Sequence, residues 1–424
     1  MAKKNIFVIG PDELNWSKLR SLPDADRYKF HALLSYEESH GAAEYDVRSM
    51  LKKARAQLDG FDGSIDAIVS FWDFPVSLMV SILGREYGTA CAPLESVFKC
   101  EHKYWSRIEQ QRVLPELTPR FVRFDPFDAK ALEKIDLPFP YWIKPIKSFA
   151  GHLGFRISSE RQFHRAIEHV RRHIGHFSEP FDYLLQFAEV PEDIREGGFC
   201  LAEEIIGGKQ CTLEGFVCDG EVDSHGIVDS YRHPNRVSFS RFEYPSKLPR
   251  RVGEQIFEVS RKLMKQLRFD NSAFNIEYFY DERRDRLWLL EINPRIAQSH
   301  SDLFNKVDGV SNHHIMVQVA LGNHPEWPHR RGDYGVAAKL FIRAFGDGRV
   351  EKGPGEREIE EVERRFPGTI VQPLVEEGMR LSELPYQDSY SFKMAILYMG
   401  ASDHRQLLKN FEEARGILGY RVEG

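Results

Sequence analysis

Paired cysteines are the first thing this sequence lacks. Its five cysteines, Cys91, Cys100, Cys200, Cys211 and Cys218, are odd in number and contain no C-x-x-C spacing. Neither a disulfide framework nor a zinc site is signalled, and they read as reduced thiols of a cytoplasmic protein. Long apolar runs are also missing. The longest, FWDFPVSLMVSILG, is interrupted by Asp73 and Pro75 and falls short of the ~20 residues a bilayer span needs. The opening MAKKNIFVIGPDE has too few apolar residues before Pro11 to form a signal-peptide core, so export and membrane insertion are both disfavoured. An excess of positive charge is absent as well: the net charge is −6 and basic residues are scattered, which argues against nucleic acid as a partner. Glycine and proline stand at ordinary levels and no internal repeat or low-complexity tract is found, so disordered, fibrous and solenoid architectures are excluded.

What is present is 424 residues of ordinary globular composition, enough for two or three domains of roughly 100–200 residues each. NIFVIG (5–10) and IDAIVSF (65–71) have the form of short buried strands, with a helical stretch at 41–59 between them and a glycine-closed helix at 75–88 after them. TACAPLES reads as a further short strand and turn. Residues 1–97 are therefore expected to form a parallel-sheet α/β domain. A helix over 99–116 ends at Pro115. Strand-like segments follow at RFVRF, YWIKPI, YLLQFAEV, FCLAEEII and CTLEGFV, with the helix ERQFHRAIEHVRRHI among them, which suggests an α+β unit with antiparallel strands over 98–322. Residues 323–424 read as an accessory α/β region.

The pair FNIEYFY (274–280) and RLWLLEIN (286–293), joined by the charged turn DERRD, carries the chemistry. Side chains alternate faces along a strand, and opposed residues share a face. If Asp281 opposes Asp285, Glu277 sits opposite Leu289 and Asn275 opposite Glu291. Glu277, Phe279, Glu291 and Asn293 then share one face, with Ile276, Tyr278, Trp288, Leu290 and Ile292 on the other. A slip of one residue would separate the glutamates. Two carboxylates with an amide oxygen beside them suit Mg²⁺ held together with substrate phosphates. Arg295, two residues on, could stabilise charge on a transferring phosphoryl group.

NIEYF followed by EINPR resembles the metal-binding core of the ATP-grasp superfamily. The resemblance implies further parts upstream, and matching segments occur in order. Lys103, in EHKYWSRIEQQ, and Lys144, in YWIKPIKSFAGHLGF, resemble the two phosphate-contacting lysines. Ser148, Ala150, Gly151 and Gly154 make a small-residue loop whose N–H groups can approach phosphate oxygens. FCLAEEIIGGKQ resembles the segment that meets adenine, which places Glu203, Glu204 and Ile206 there. Gln210 stands where many relatives have a carboxylate for the ribose, and Phe279 is placed to cover the purine.

The resemblance implies an ATP-grasp fold with an N-terminal α/β domain (1–97), a β-rich lid at about 120–205 within an ATP-grasp domain (98–322), and ATP with Mg²⁺, or Mn²⁺ in its place, as cofactors. It also implies a carboxylate–amine ligase working through an acylphosphate on amino acids or small carboxylic acids. Arg295 and Lys144 would serve catalysis, and Glu277, Glu291 and Asn293 the metal. His152, Arg232, Arg236, Gln298, Ser299 and His300 are candidates for contacting the substrates; Arg241 is a third arginine in the same stretch as Arg232 and Arg236. Homodimers are common in the family, though no segment specifies an interface. Two alternatives stay open: a biotin-carboxylase-like enzyme activating bicarbonate, and a nucleotide-binding protein without turnover.

Overall fold

The computed structural model describes residues 2–39, 45–148, 153–384, 387, 388 and 390–424. The chain begins with β1 (Lys4–Ile9), α1 (Glu13–Arg20), β2 (Tyr28–Leu33), α2 (Tyr36–Ser39), α3 (Val47–Asp59), β3 (Ala67–Val69) and α4 (Val76–Tyr87). The strands form a parallel sheet in the order β2-β1-β3. Local chemistry sets the helix ends: Asp12 Oδ1 caps α1 by accepting from the Asn15 N–H at 2.8 Å, Asp46 does the same for α3 at 3.0 Å, and α4 stops at Gly88 with φ of 70°, where only glycine is unstrained.

Two expectations give way in the segments that follow. TACAPLES is not a strand, and the single helix of 99–116 is two: α5 (Leu94–Glu101), entered through Pro93, and α6 (Lys103–Val113). They meet at His102, whose Nδ1 accepts the Trp105 N–H at 3.0 Å and starts the second helix. Next come β4 (Phe121–Phe124), β5 (Tyr141–Pro145), β6 (Phe155–Ile157), α7 (Glu160–His173), α8 (Gly175–Leu185) and β7 (Cys200–Glu204). The four strands form an antiparallel sheet ordered β4-β7-β5-β6, against which α7 buries Phe163, Ala166, Ile167 and Val170. The start of YLLQFAEV belongs to α8 rather than to a strand. Phe177, Phe181, Leu184 and Leu185 are buried at helical spacing, a period the short apolar run alone does not reveal.

The largest sheet has eight strands, ordered β12-β11-β8-β9-β10-β13-β16-β15. Its members are β8 (Lys209–Cys218), β9 (Glu221–Arg232), β10 (Phe239–Tyr244), β11 (Ser272–Asp281), β12 (Arg286–Asn293), β13 (Val336–Ala344), β15 (Ile370–Pro373) and β16 (Phe392–Ala401); β14 (Arg349–Lys352) pairs instead with β17 (Arg421–Glu423). One face buries Leu213, Ile276, Tyr278, Leu289 and Ile292 against α9 (Arg250–Leu267) and α11 (His313–Ala320), and this core runs on into the N-terminal sheet. The opposite face is covered in part by α10 (Ser301–Asp308), through Leu303, Phe304 and Val307 on Val228, Tyr244, Ala337 and Tyr398. Helices α12 (Glu356–Arg365) and α13 (His404–Leu418) pack at the far end. Pairing of β10 with β13 places the C-terminal strands in the same sheet as β11 and β12.

The hairpin register departs from the expected one. Asp281 opposes Arg286, not Asp285, and Tyr278 opposes Leu289, but Glu277 opposes Glu291 directly because the register shifts between Glu277 and Tyr278. The turn alone would have placed the glutamates on opposite faces; one extra residue, Leu290, restores them to the same face. Trp288 consequently opposes Phe279 and is buried on the face of Glu277 rather than on the face of Ile276 and Tyr278, with the Arg286 guanidinium 3.6 Å over its ring.

Packing of α10 on the sheet is tight at Gly226, where a Cβ would meet Phe304 Cε1 and Tyr244 Cε2 at 2.7 Å each. Gly226→Ala is expected to destabilise the fold by about 1–3 kcal/mol, measured as a lowered urea midpoint. An unchanged midpoint would show that these rings yield freely.

Candidate active site

Glu277 and Glu291 face each other across β11 and β12. Burial and the neighbouring Glu291 carboxylate push Glu277 up to about 7, whereas Glu291 is held below the ordinary carboxylate range: burial opposes this, and Lys103, Lys144 and Lys147 overcome it. One row along the same face, Asn293 Nδ2 donates to Asn275 Oδ1 at 2.9 Å and Asn275 Nδ2 donates to the Arg295 carbonyl at 2.9 Å. This relay fixes the Asn293 amide so that its oxygen remains as the acceptor. Among the described residues no trio of His, Cys, Asp or Glu has metal-binding geometry. The donor set is two carboxylates and an amide oxygen, which suits a hard cation that takes its remaining ligands from phosphate and water.

The lysines converge from two other elements on a cleft whose lining includes Lys103, Arg107, Lys144, Glu203, Leu290 and Glu291. Lys103, first residue of α6, points its ammonium at the Ser148 carbonyl (2.6 Å) and at Glu291 Oε1 (3.4 Å). Lys144, on β5, is bonded to Glu203 Oε2 at 2.5 Å. Lys147, just past β5, is buried and bonded to Glu101, which in turn accepts from Ser77 at 2.5 Å. Ser148 is buried beside them. Gly151 and His152 lie outside the described residues.

At the end expected to meet adenine, Glu203 is not a free acid. It is buried between Arg107 Nε (2.5 Å) and Lys144. Burial pulls it up, yet Arg107 and Lys144 bring it down to about 2. Glu204 is half-buried and lies 3.5 Å from the Arg120 guanidinium, and Ile206 follows on the half-buried strand exit. Phe279 opposes Gln210 on β8, on the face of Glu277. Gln210 itself joins two candidates: Nε2 donates to Glu277 Oε2 at 2.7 Å, and Oε1 accepts from Arg232 Nη2 at 2.7 Å.

Arg295 has its guanidinium turned to the N-terminal domain, donating from Nε and Nη2 to both oxygens of Asp73 at 2.7 and 2.6 Å and from Nη1 to the Ile296 carbonyl at 3.1 Å. Beyond it, Gln298 and Ser299 are half-buried in a single turn. His300 is buried, its Nδ1 2.7 Å from Glu214 Oε1. Glu214 also accepts from Asn312 at 2.9 Å and from the Ala297 N–H at 3.3 Å. The stretch 229–246 that carries the candidate arginines is mostly strand, comprising the end of β9 and all of β10 about a short turn. It sends Arg232 towards Gln210, leaves Arg236 exposed in the turn, and turns Arg241 to Glu243, on the strand face opposite Phe242. Sequence reasoning missed Asp73, Glu101, Arg107, Glu214 and Asn275. All but Asn275 reach the site across long chain separations; Asn275, two residues before Glu277 and sharing its parity, is the one that carried a readable signal.

The raised Glu277 carries a sign for stability. Between its ordinary value near 4.5 and its folded value of about 7, the folded state binds a proton that the unfolded chain has lost. Metal-free stability should therefore fall as pH rises through that window and level off above it. Thermal melts of the metal-free protein against Glu277→Gln at pH 5 and 7.5 test this: the wild type should lose more stability on going to the higher pH than the variant, and parallel profiles would refute the assignment.

Residues 137–302 match the family model of the ATP-grasp domain, and comparison with curated proteins gives no match. Among solved structures, the fold is similar to that of an L-amino acid ligase from Bacillus licheniformis, with TM-score 0.73, 16% identity and 100% of both chains covered. It is also similar to a carboxyaminoimidazole ribonucleotide synthase from Aspergillus clavatus complexed with ATP, with TM-score 0.66, 12% identity and 98% of each chain covered. A biotin carboxylase from Campylobacter jejuni gives TM-score 0.62 at 14% identity, covering 99% of this chain and 92% of the other. At these identities the likeness shows the fold, which is ATP-grasp, with a parallel N-terminal sheet, a small antiparallel sheet and a large antiparallel sheet.

Proposed function

We propose that this chain, with an ATP-grasp domain in residues 137–302, is an ATP-dependent carboxylate–amine ligase that forms an amide or peptide bond between small molecules, amino acids being the favoured class. The observation that carries the reading is the opposed pair Glu277 and Glu291 beside a cleft lined by Lys103 and Lys144. Acids for a divalent ion and cations for phosphate meet at one place. Similarity in fold to an L-amino acid ligase over the whole of both chains supports the substrate class. Among the described residues no helix is long and apolar enough to cross a membrane.

In this reading a substrate carboxylate oxygen attacks the γ-phosphorus of ATP, the bond to the β–γ bridging oxygen breaks, and ADP leaves. An amine then attacks the carbonyl of the resulting acylphosphate and phosphate departs, the amine losing one proton. Glu277, Glu291 and the Asn293 oxygen would hold Mg²⁺, which when bound offsets charge on the phosphate oxygens. Lys103 and Lys144 sit where they can bind the triphosphate, Lys144 by leaving Glu203. Arg295 can face the transferred group once its hold on Asp73 loosens. Positioning and charge compensation account for the catalysis, with no protein nucleophile. The lid strands would exclude water, which would otherwise hydrolyse the acylphosphate. Glu203, Glu204, Ile206, Gln210 and Phe279 stand along the nucleotide side. Gln298, Ser299, His300, Arg232 and Arg236 are the candidates for the second substrate, and dimerisation and a cytoplasmic setting complete the proposal.

Two measurements check it. Phosphate release from ATP and Mg²⁺ should require both a carboxylate and an amine, found by screening amino-acid pairs; turnover that requires bicarbonate and biotin, or tight ATP binding without turnover on any pair, would overturn it. Glu291→Gln should lower Mg²⁺-dependent turnover by at least about 100-fold while the circular dichroism spectrum is kept, and unaltered turnover would remove Glu291 from the metal.

A further inference from the structure

The register shift in the β11–β12 hairpin raises a question of its own: what holds an irregularity on which the whole site depends. Had the pairing seen at Tyr278 and Leu289 continued regularly, Glu277 would oppose Leu290, and Glu291 would oppose Ile276 on the core face. The extra residue Leu290 prevents this. A bulge, however, leaves backbone groups without ladder partners, and such groups must be satisfied when buried.

Arg107 bonds two successive carbonyls at the bulge. From the middle of α6 its Nη2 donates to the Leu290 carbonyl at 2.8 Å and its Nη1 to the Leu289 carbonyl at 3.4 Å. Its own aim is fixed from the other side, by Nε on Glu203 Oε1 at 2.5 Å and by Nη1 on Gln110 Oε1. The side chain is only 3% exposed. A planar guanidinium presents adjacent parallel donors at a fixed spacing and so can take two successive carbonyls together, which a lysine ammonium on its flexible stem cannot do. Arg107 lines the same cleft as Lys103, Lys144 and Glu291, but its donors are turned to the protein.

We propose that Arg107 is a positioning residue: by binding the carbonyls of Leu289 and Leu290 it holds the bulge that turns Glu291 to face Glu277, and so sets the divalent-cation site without touching the cation. The inference rests on the reading of Glu277 and Glu291 as metal ligands. It predicts that loss of the guanidinium acts first on metal affinity, before any effect on chemistry.

The test uses the full chain without nucleotide and Mn²⁺ alone as probe, free Mn²⁺ being counted by electron paramagnetic resonance. Arg107→Met should raise the Mn²⁺ dissociation constant about 10- to 100-fold, the range in which loss of a residue supporting metal ligands acts, and should speed amide hydrogen exchange at Glu291 and Ile292. A folded Arg107→Met protein that binds Mn²⁺ within twofold of wild type, with exchange unchanged, overturns the proposal. If that variant does not fold, Arg107→Lys decides, since it keeps a positive charge beside Glu203 but cannot hold both carbonyls. A weakened Mn²⁺ site with accelerated exchange at Glu291 supports the role, and wild-type values overturn it. Should the wild-type chain itself bind no Mn²⁺, the metal reading fails first and this inference with it, an outcome distinct from a variant that binds as well as wild type.

Discussion

Like charges held face to face are the constraint on which the rest of this site depends. Directly opposed residues of an antiparallel pair lie about 5 Å apart, and two carboxylates at that separation repel by roughly 3 kcal/mol at an effective dielectric near 20. Left alone, such a pair would turn apart or share a proton. The surroundings keep it together asymmetrically. Glu291 lies towards the lysines and stays charged, while Glu277 lies towards Gln210 and is raised. The asparagine relay behind them then leaves an amide oxygen on the same face. Each neighbour makes sense as an answer to one problem, that of keeping two carboxylates face to face on one strand pair.

The fold and the site were legible in the sequence to different depths. The alternation in FNIEYFY and RLWLLEIN placed two strands correctly, and the order of lysine, lysine, small loop, acids and EINPR pointed to the ATP-grasp fold. The pairing register was not legible. A charged five-residue turn does not dictate its own geometry, and the expected register and the true one differ by a slip that a bulge then cancels. Glu277 and Glu291 were therefore assigned to one face by an argument with the wrong register. Segment 183–190 was misread for a simpler reason: a short apolar run fits strand and buried helix alike, and only Phe177 and Phe181, lying upstream, reveal the helical period. Partners such as Asp73 for Arg295 or Arg107 for Glu203 are contacts between distant parts of the chain, with no local pattern to announce them.

These distant contacts also explain why the N-terminal sheet belongs to the site. Asp73 follows β3 and takes the guanidinium of Arg295; Ser77, on α4, supports Glu101, which holds Lys147 just past β5. Through these two links the N-terminal domain touches both Arg295, just past β12, and Lys147, just past β5. The apolar core continues across the same junction, so the polar links sit at the rim of a packed contact.

Glu203 carries two cations where one would balance it. An acid with a single buried partner cannot release it cheaply, because the departing charge strands the other. With Arg107 remaining, Glu203 stays compensated whether or not Lys144 holds it. The surplus makes Lys144 a tethered reserve, aimed by a carboxylate that keeps a second cation of its own.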